Sequence, residues 1–124
     1  MNTLTEKIIG AAIEVHRVLG PGLLESSYEK CLAHELHLRG IQCIRQQKQP
    51  IIYKGLEIDE GYRLDIFVEG QIILELKAVD KLTDLHLAQL LTYLKHSGCT
   101  VGYLMNFNEK LFKDGLRRVV LNHT

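Results

Sequence analysis

Tyr62-Arg63-Leu64-Asp65-Ile66-Phe67-Val68-Glu69-Gly70-Gln71-Ile72-Ile73-Leu74-Glu75-Leu76-Lys77-Ala78 is the stretch on which the fold turns. Side chains alternate sides along a strand, so the even positions (Tyr62, Leu64, Ile66, Val68, Ile72, Leu74, Leu76 and Ala78) make one apolar face. The odd positions then carry Arg63, Asp65, Phe67, Ile73, Glu75 and Lys77 on the other. A two-residue loop at Glu69-Gly70 would set Val68 against Gln71 and Asp65 against Leu74, apolar against polar. Because a one-residue slip flips every side chain, a three-residue loop or a bulge is expected instead, which brings Asp65 and Glu75 to one face. Two acids and a lysine held on neighbouring strands can bind a divalent cation and position a water.

Around this hairpin the chain reads as one domain spanning residues 1–124. At 124 residues and 46% hydrophobic content it can build one core and is too short for two. The segment Met1 to Lys7 lacks the basic start and apolar stretch of a secretory leader, and no apolar run approaches membrane-span length, so no membrane partner and a cytoplasmic location are expected. Cys31, Cys43 and Cys99 are odd in number and widely spaced, which reads as small core residues rather than a disulfide framework or a zinc site. Fifteen basic and fifteen acidic residues cancel, which excludes a large positive field for non-specific nucleic-acid binding.

Helices are expected at about Leu4–Leu19, with Thr3 and Glu6 as a capping box, at about Leu24–Arg39, with Leu24, Tyr28, Cys31, Leu32 and Leu36 inward, and at about Thr83–Ser97, with Leu87, Leu90, Leu91 and Leu94 inward. Strands are expected at Ile41–Gln47, Ile51–Tyr53, Leu56–Asp59, Cys99–Asn106 and Leu116–Leu121 besides the central pair. Two helices, a run of antiparallel strands, a helix and a returning strand make an α/β fold with a mixed central sheet flanked by helices.

Asp65, then Glu75-x-Lys77, then Gln89-x-x-x-Tyr93 on a helix resembles the PD-(D/E)xK nuclease superfamily, with its restriction-endonuclease-like αβββαβ core, here preceded by an extra N-terminal helix. Gly22-Leu23-Leu24-Glu25-Ser26-Ser27-Tyr28 is similar to the signature of the GxxExxY family within it, and segments matching that family run through most of the chain. Leu64 stands where the superfamily's name has proline. The resemblance implies a nuclease that hydrolyses phosphodiester bonds, of DNA more than RNA, with Mg²⁺ or Mn²⁺ as cofactor. Asp65 and Glu75 would be metal ligands with the Leu76 carbonyl, Lys77 would act on the attacking water, and Glu25 would approach from the second helix as an outer or second-metal ligand. Gln89 and Tyr93 would orient Lys77 or a phosphate. The alternative is a non-catalytic module of the same fold that binds nucleic acid or a protein partner. Neutral charge favours a protein partner that delivers the substrate, and exposed sheet edges allow a homodimer.

Overall fold

The computed structural model describes residues 3–123; Met1, Asn2 and Thr124, which the single-domain reading includes, lie outside the described residues. Thr3 caps α1 (Leu4–Leu19) by accepting the Glu6 N–H at 3.2 Å, and Ile8, Ala11, Ala12 and Val15 form its buried stripe. Helix α2 (Glu25–Leu38) buries Tyr28, Glu29, Leu32, Ala33 and Leu36. Leu24, expected inside, is 74% exposed, because it is the extended residue before the first helical turn and lies off the inner stripe. Thr83 and His86 exchange side-chain to backbone bonds to start α3 (Asp84–Ser97). Its buried stripe is Leu90, Tyr93 and Leu94. Leu91 sits on the exposed rim, since one residue along a helix turns the side chain by about 100°.

Strands β1 (Cys43–Lys48), β4 (Arg63–Val68), β5 (Ile72–Lys77), β6 (Val101–Asn106) and β7 (Leu116–Val120) make one sheet in the order β1-β4-β5-β6-β7. All neighbours are antiparallel except β5 and β6, which run parallel and are joined through α3. The expected αβββαβ core is therefore present as α2, β1, β4, β5, α3 and β6, with α1 preceding it. Between β1 and β4 a separate hairpin, β2 (Ile51–Tyr53) with β3 (Leu56–Ile58), is inserted. A short 3₁₀ turn, Phe112–Gly115, leads into β7.

The sheet carries a core on each face. On one, Ile66, Val68, Ile72, Leu74, Leu76, Tyr103 and Met105 pack with the buried faces of α1 and α2, extended by Phe107 and Phe112. Phe107 stacks on Tyr28 at 4.7 Å between centroids. On the other, Ile73, Leu104 and Val119 pack with Leu90, Tyr93 and Leu94 of α3. No helix among the described residues is long and apolar enough to cross a membrane.

Pairing in the central hairpin is Val68↔Ile72, Phe67↔Ile73 and Ile66↔Leu74, which leaves Glu69, Gly70 and Gln71 as a three-residue loop. Glu69 and Gly70 both have positive φ (53° and 64°), as a type I′ turn needs, and the Gln71 N–H closes it on the Val68 carbonyl at 2.9 Å. Glu69 tolerates this conformation because its N–H and its carboxylate both bond the backbone of Gln42, at 3.0 and 2.9 Å.

One element of the alternation fails. Leu64 is fully buried, but against Leu90, Tyr93 and Leu104, on the opposite side of the sheet from Ile66. Strand β4 must rotate between them, at Asp65. There the ladder is broken on both sides: β1 skips Gln46, which has a φ of 56°, and pairing with β5 stops at Ile66↔Leu74.

Candidate active site

Side chains take over where the ladder stops. The Leu76 N–H donates to Asp65 Oδ2 at 2.8 Å, and the Asp65 N–H donates to Glu75 Oε1 at 3.3 Å. The two carboxyls thus face each other between β4 and β5. Within a strand the N–H and C=O of one residue turn to the same neighbour, so the Leu76 carbonyl also turns toward β4.

Glu75 is buried (4% exposed) and Asp65 is half-buried. Burial, joined by the charge of Asp65, pushes the Glu75 carboxyl up to about 9. Burial also raises Asp65, reinforced by the nearby charge of Glu29 and opposed by the Leu76 N–H. Both shifts point the same way: burial disfavours two ionised carboxylates at this spot, and a nearby positive charge would favour them.

Lys77, half-buried at the end of β5, lies close enough for its charge to favour ionisation of both acids, but forms no ion pair within 4.0 Å among the described residues. Its carbonyl accepts the Phe107 N–H at 2.9 Å, which ties the end of β5 to the segment after β6. Asn106 reinforces that tie by bonding both the N–H and the carbonyl of Val79. Tyr93 is buried, and burial together with the charges of Glu75 and Asp65 raises its phenol. Gln89 donates to the Tyr93 hydroxyl at 3.4 Å, and both line a cleft of about 190 Å³ with Ile51, Tyr62 and Thr92. The structure therefore gathers Asp65, Glu75, Leu76, Lys77, Tyr93 and, at the rim, Gln89.

Glu25 does not join them. It is exposed in the first turn of α2, and among the described residues it makes no hydrogen bond or ion pair. The acid of α2 whose charge reaches Asp65 is Glu29, one turn further on, which is buried (7% exposed). Gln46 donates to Glu29 Oε1 at 2.9 Å, and Arg45 Nε lies 3.5 Å from the same oxygen. The residue that breaks the β1 ladder is thus the one that holds Glu29. Sequence reasoning missed Glu29, although it left a signal. Glu29 shares a helical face with Leu32, Ala33 and Leu36, and an acid in an inner stripe has to be held by something.

The other members of the Gly22 to Tyr28 pattern are structural. The fully buried Tyr28 donates its hydroxyl proton to the Gly20 carbonyl and accepts the Leu23 N–H at 3.1 Å, fastening the connection between α1 and α2.

Among the described residues no three histidine, cysteine, aspartate or glutamate side chains converge into a ready-made metal cage. The donor set around Asp65 is two adjacent carboxyls and a carbonyl, all hard oxygens. That set, with waters completing the shell, suits a small divalent cation, and the raised acids show a site short of positive charge.

A mixed sheet flanked by helices, with an acid pair and a lysine on two of its inner strands, is the architecture of a restriction-endonuclease-like fold. A family model described as the PD-(D/E)XK nuclease superfamily matches residues 2–119, and the chain belongs to that superfamily. Proteins of this superfamily act on nucleic acid and generally use divalent metals. No curated relative and no solved structure matched the chain.

Proposed function

We propose that the chain is a Mg²⁺- or Mn²⁺-dependent nuclease of the GxxExxY type, hydrolysing phosphodiester bonds of DNA in the cytoplasm. The observation that carries this reading is the pair of Asp65 and the buried Glu75, each carboxyl accepting a backbone N–H of the other's strand, with Lys77 further along β5. A structural role explains such a pair poorly, since two carboxyls brought together out of water cost stability unless something cationic meets them.

Asp65, Glu75 and the Leu76 carbonyl would hold the cation. When bound, it would supply Lewis acidity and a water of lowered pKa. Lys77 orients the attacking water by hydrogen bonding and offsets negative charge as it builds on the phosphoryl oxygens. Tyr93 and Gln89, linked to each other, hold Lys77 or a phosphate oxygen from the cleft side. Glu29 adds negative charge behind Asp65 and acts through water, since Gln46 and Arg45 hold its carboxylate in place. With a formal net charge of zero, the chain depends on a partner protein, or on a second copy of itself, to bring the substrate to this site.

Calorimetry with Mn²⁺, comparing the wild type with an Asp65→Asn/Glu75→Gln double variant, tests the site directly. One-site binding by the wild type alone is expected, with Mn²⁺-dependent cleavage of DNA. The rival reading is a binding module of the same fold without catalysis. It would be established by nucleic-acid binding that persists in the double variant without any cleavage by the wild type.

A further inference from the structure

The β2–β3 hairpin stands apart from the five-stranded sheet, and the chemistry proposed above gives it no task. Its register is Ile51↔Ile58, Ile52↔Glu57 and Tyr53↔Leu56, so Ile51, Tyr53, Leu56 and Ile58 share one face. Ile51, at the base of that face, lines the cleft that also contains Tyr62 and Tyr93. The outer half of the same face is bare, with Tyr53 60% and Leu56 61% exposed. A second cleft, of about 340 Å³ beside Leu85, His86 and Ala88, shares Gln89 and Thr92 with the first. The two adjoin along α3 at Gln89 and Thr92, and the hairpin meets the first of them through Ile51.

The hairpin is built to be rigid. Lys54 and Gly55 both have positive φ (46° and 86°), the backbone of a tight type I′ turn. At the base, the Ile52 N–H donates to His96 Nδ1 of α3 at 3.3 Å, and the Gln49 N–H to the Tyr62 carbonyl at 3.0 Å. The Lys54 ammonium lies 5.5 Å from the centre of the Tyr53 ring. Lys48 and Arg63 are both engaged by Asp59, whereas Lys54 has no ion-pair partner among the described residues.

We infer that this hairpin is a stacking platform for an unpaired nucleotide, and that the substrate is a single strand, or a duplex with a single-stranded end, lying along the two adjoining clefts beside the hairpin and α3. The exposed ring of Tyr53 offers a face to a base and Lys54 a cation to the adjoining phosphate, the two contacts that sequence-independent single-strand binding uses. A blunt duplex cannot use them, since its base faces are covered by their neighbours. The occupant is nucleic acid rather than protein because a cation without an ion-pair partner among the described residues lies over the exposed ring, and the cleft is lined by Tyr93, which lies within the field of Asp65 and Glu75. This inference deepens the nuclease reading, but the binding it describes does not require cleavage.

Oligonucleotides carrying 2-aminopurine test it, as single strand, duplex with an overhang, and blunt duplex, in buffer containing EDTA so that nothing is cut. Binding with a fall in 2-aminopurine fluorescence is expected for the first two. Tyr53→Ala should weaken that binding by about 5- to 140-fold, which is what 1–3 kcal/mol per stacked base amounts to, and should abolish the fluorescence change. Tyr53→Trp should restore both. The position is exposed, so the variants should melt with the wild type. Wild-type affinity in Tyr53→Ala, equal affinity for blunt duplex, or no fluorescence change with any oligonucleotide would each overturn the inference. A wild type that shows the fluorescence change but cleaves nothing with Mn²⁺ supports the platform and defeats the nuclease. Cleavage of blunt duplex as fast as of single strand, unaffected by Tyr53→Ala, does the reverse.

Discussion

The Leu76 N–H and the Asp65 carboxylate, 2.8 Å apart, are bonded where the β4–β5 ladder has already ended, so the site's first acid doubles as a piece of sheet. Charge and hydrogen bonding at this position can be separated. Asp65→Asn retains an oxygen for the Leu76 N–H and should melt near the wild type while losing Mn²⁺ binding. Asp65→Ala leaves a part-buried N–H unpaired and should cost about 1–3 kcal/mol. Melting curves with matched calorimetry check both, and equal melting of the two variants would show that the bond contributes nothing.

Lys77 is half-buried and has no ion-pair partner among the described residues, so its removal should disturb the chemistry more than the fold. Lys77→Ala is expected to lower Mn²⁺-dependent cleavage by two or more orders of magnitude, with a melting shift of no more than a few degrees. Cleavage rates equal to wild type would remove Lys77 from the mechanism.

The acid pair gives stability a definite pH dependence in the absence of metal. Glu75 titrates at its ordinary 4.5 when unfolded and at about 9 when folded, so the folded state binds more protons between those values. Stability from this group is complete below about 4.5 and is lost as pH rises through about 9. In EDTA, Glu75→Gln should therefore melt close to the wild type near pH 5 and above it at pH 8. Each kcal/mol is worth about 3–6 °C in a domain of this size. Mn²⁺ should stabilise the wild type at pH 8 and leave Glu75→Gln nearly unmoved. A wild type more stable than Glu75→Gln at pH 8 in EDTA contradicts the assignment.

Helix α2 offers two acids one turn apart, of which Glu29 is buried with its charge felt by Asp65 and Glu25 is exposed. Glu29→Gln is expected to reduce cleavage by about tenfold or more, through loss of charge behind Asp65. Exposed Glu25→Gln should change it by less than about twofold. Steady-state kinetics on both variants decides between them, and the opposite ranking would return Glu25 to the site.

Much of this was legible in the chain, because period-two alternation and the polarity of Asp65 and Glu75 rule out a two-residue loop and leave a three-residue loop or a bulge, of which the first is present. The start of α1 at Leu4 and the end of α3 at Gly98 follow equally from local capping chemistry. What escaped depends on contacts between distant segments. The rotation that sends Leu64 to the α3 side is bound up with the φ of Gln46, eighteen positions earlier by number, and no local pattern encodes it. Leu91 and Leu90 are equally apolar, so composition alone cannot say which one the sheet covers. Tyr28 reads as a core aromatic, and the partners of its hydroxyl lie in a loop whose path only the folded chain defines.

The fastening of the α1–α2 connection by Tyr28 bears on how chains of this kind should be sorted. Gly22 and Tyr28 report that two helices are joined in a particular way, a requirement of assembly that holds whether or not any bond is ever cut. A chain could lose Asp65 or Lys77, fall silent as an enzyme, and still display that pattern intact. The join between the two helices and the cluster of Asp65, Glu75 and Lys77 lie in separate parts of the molecule, so the first can persist whatever becomes of the second.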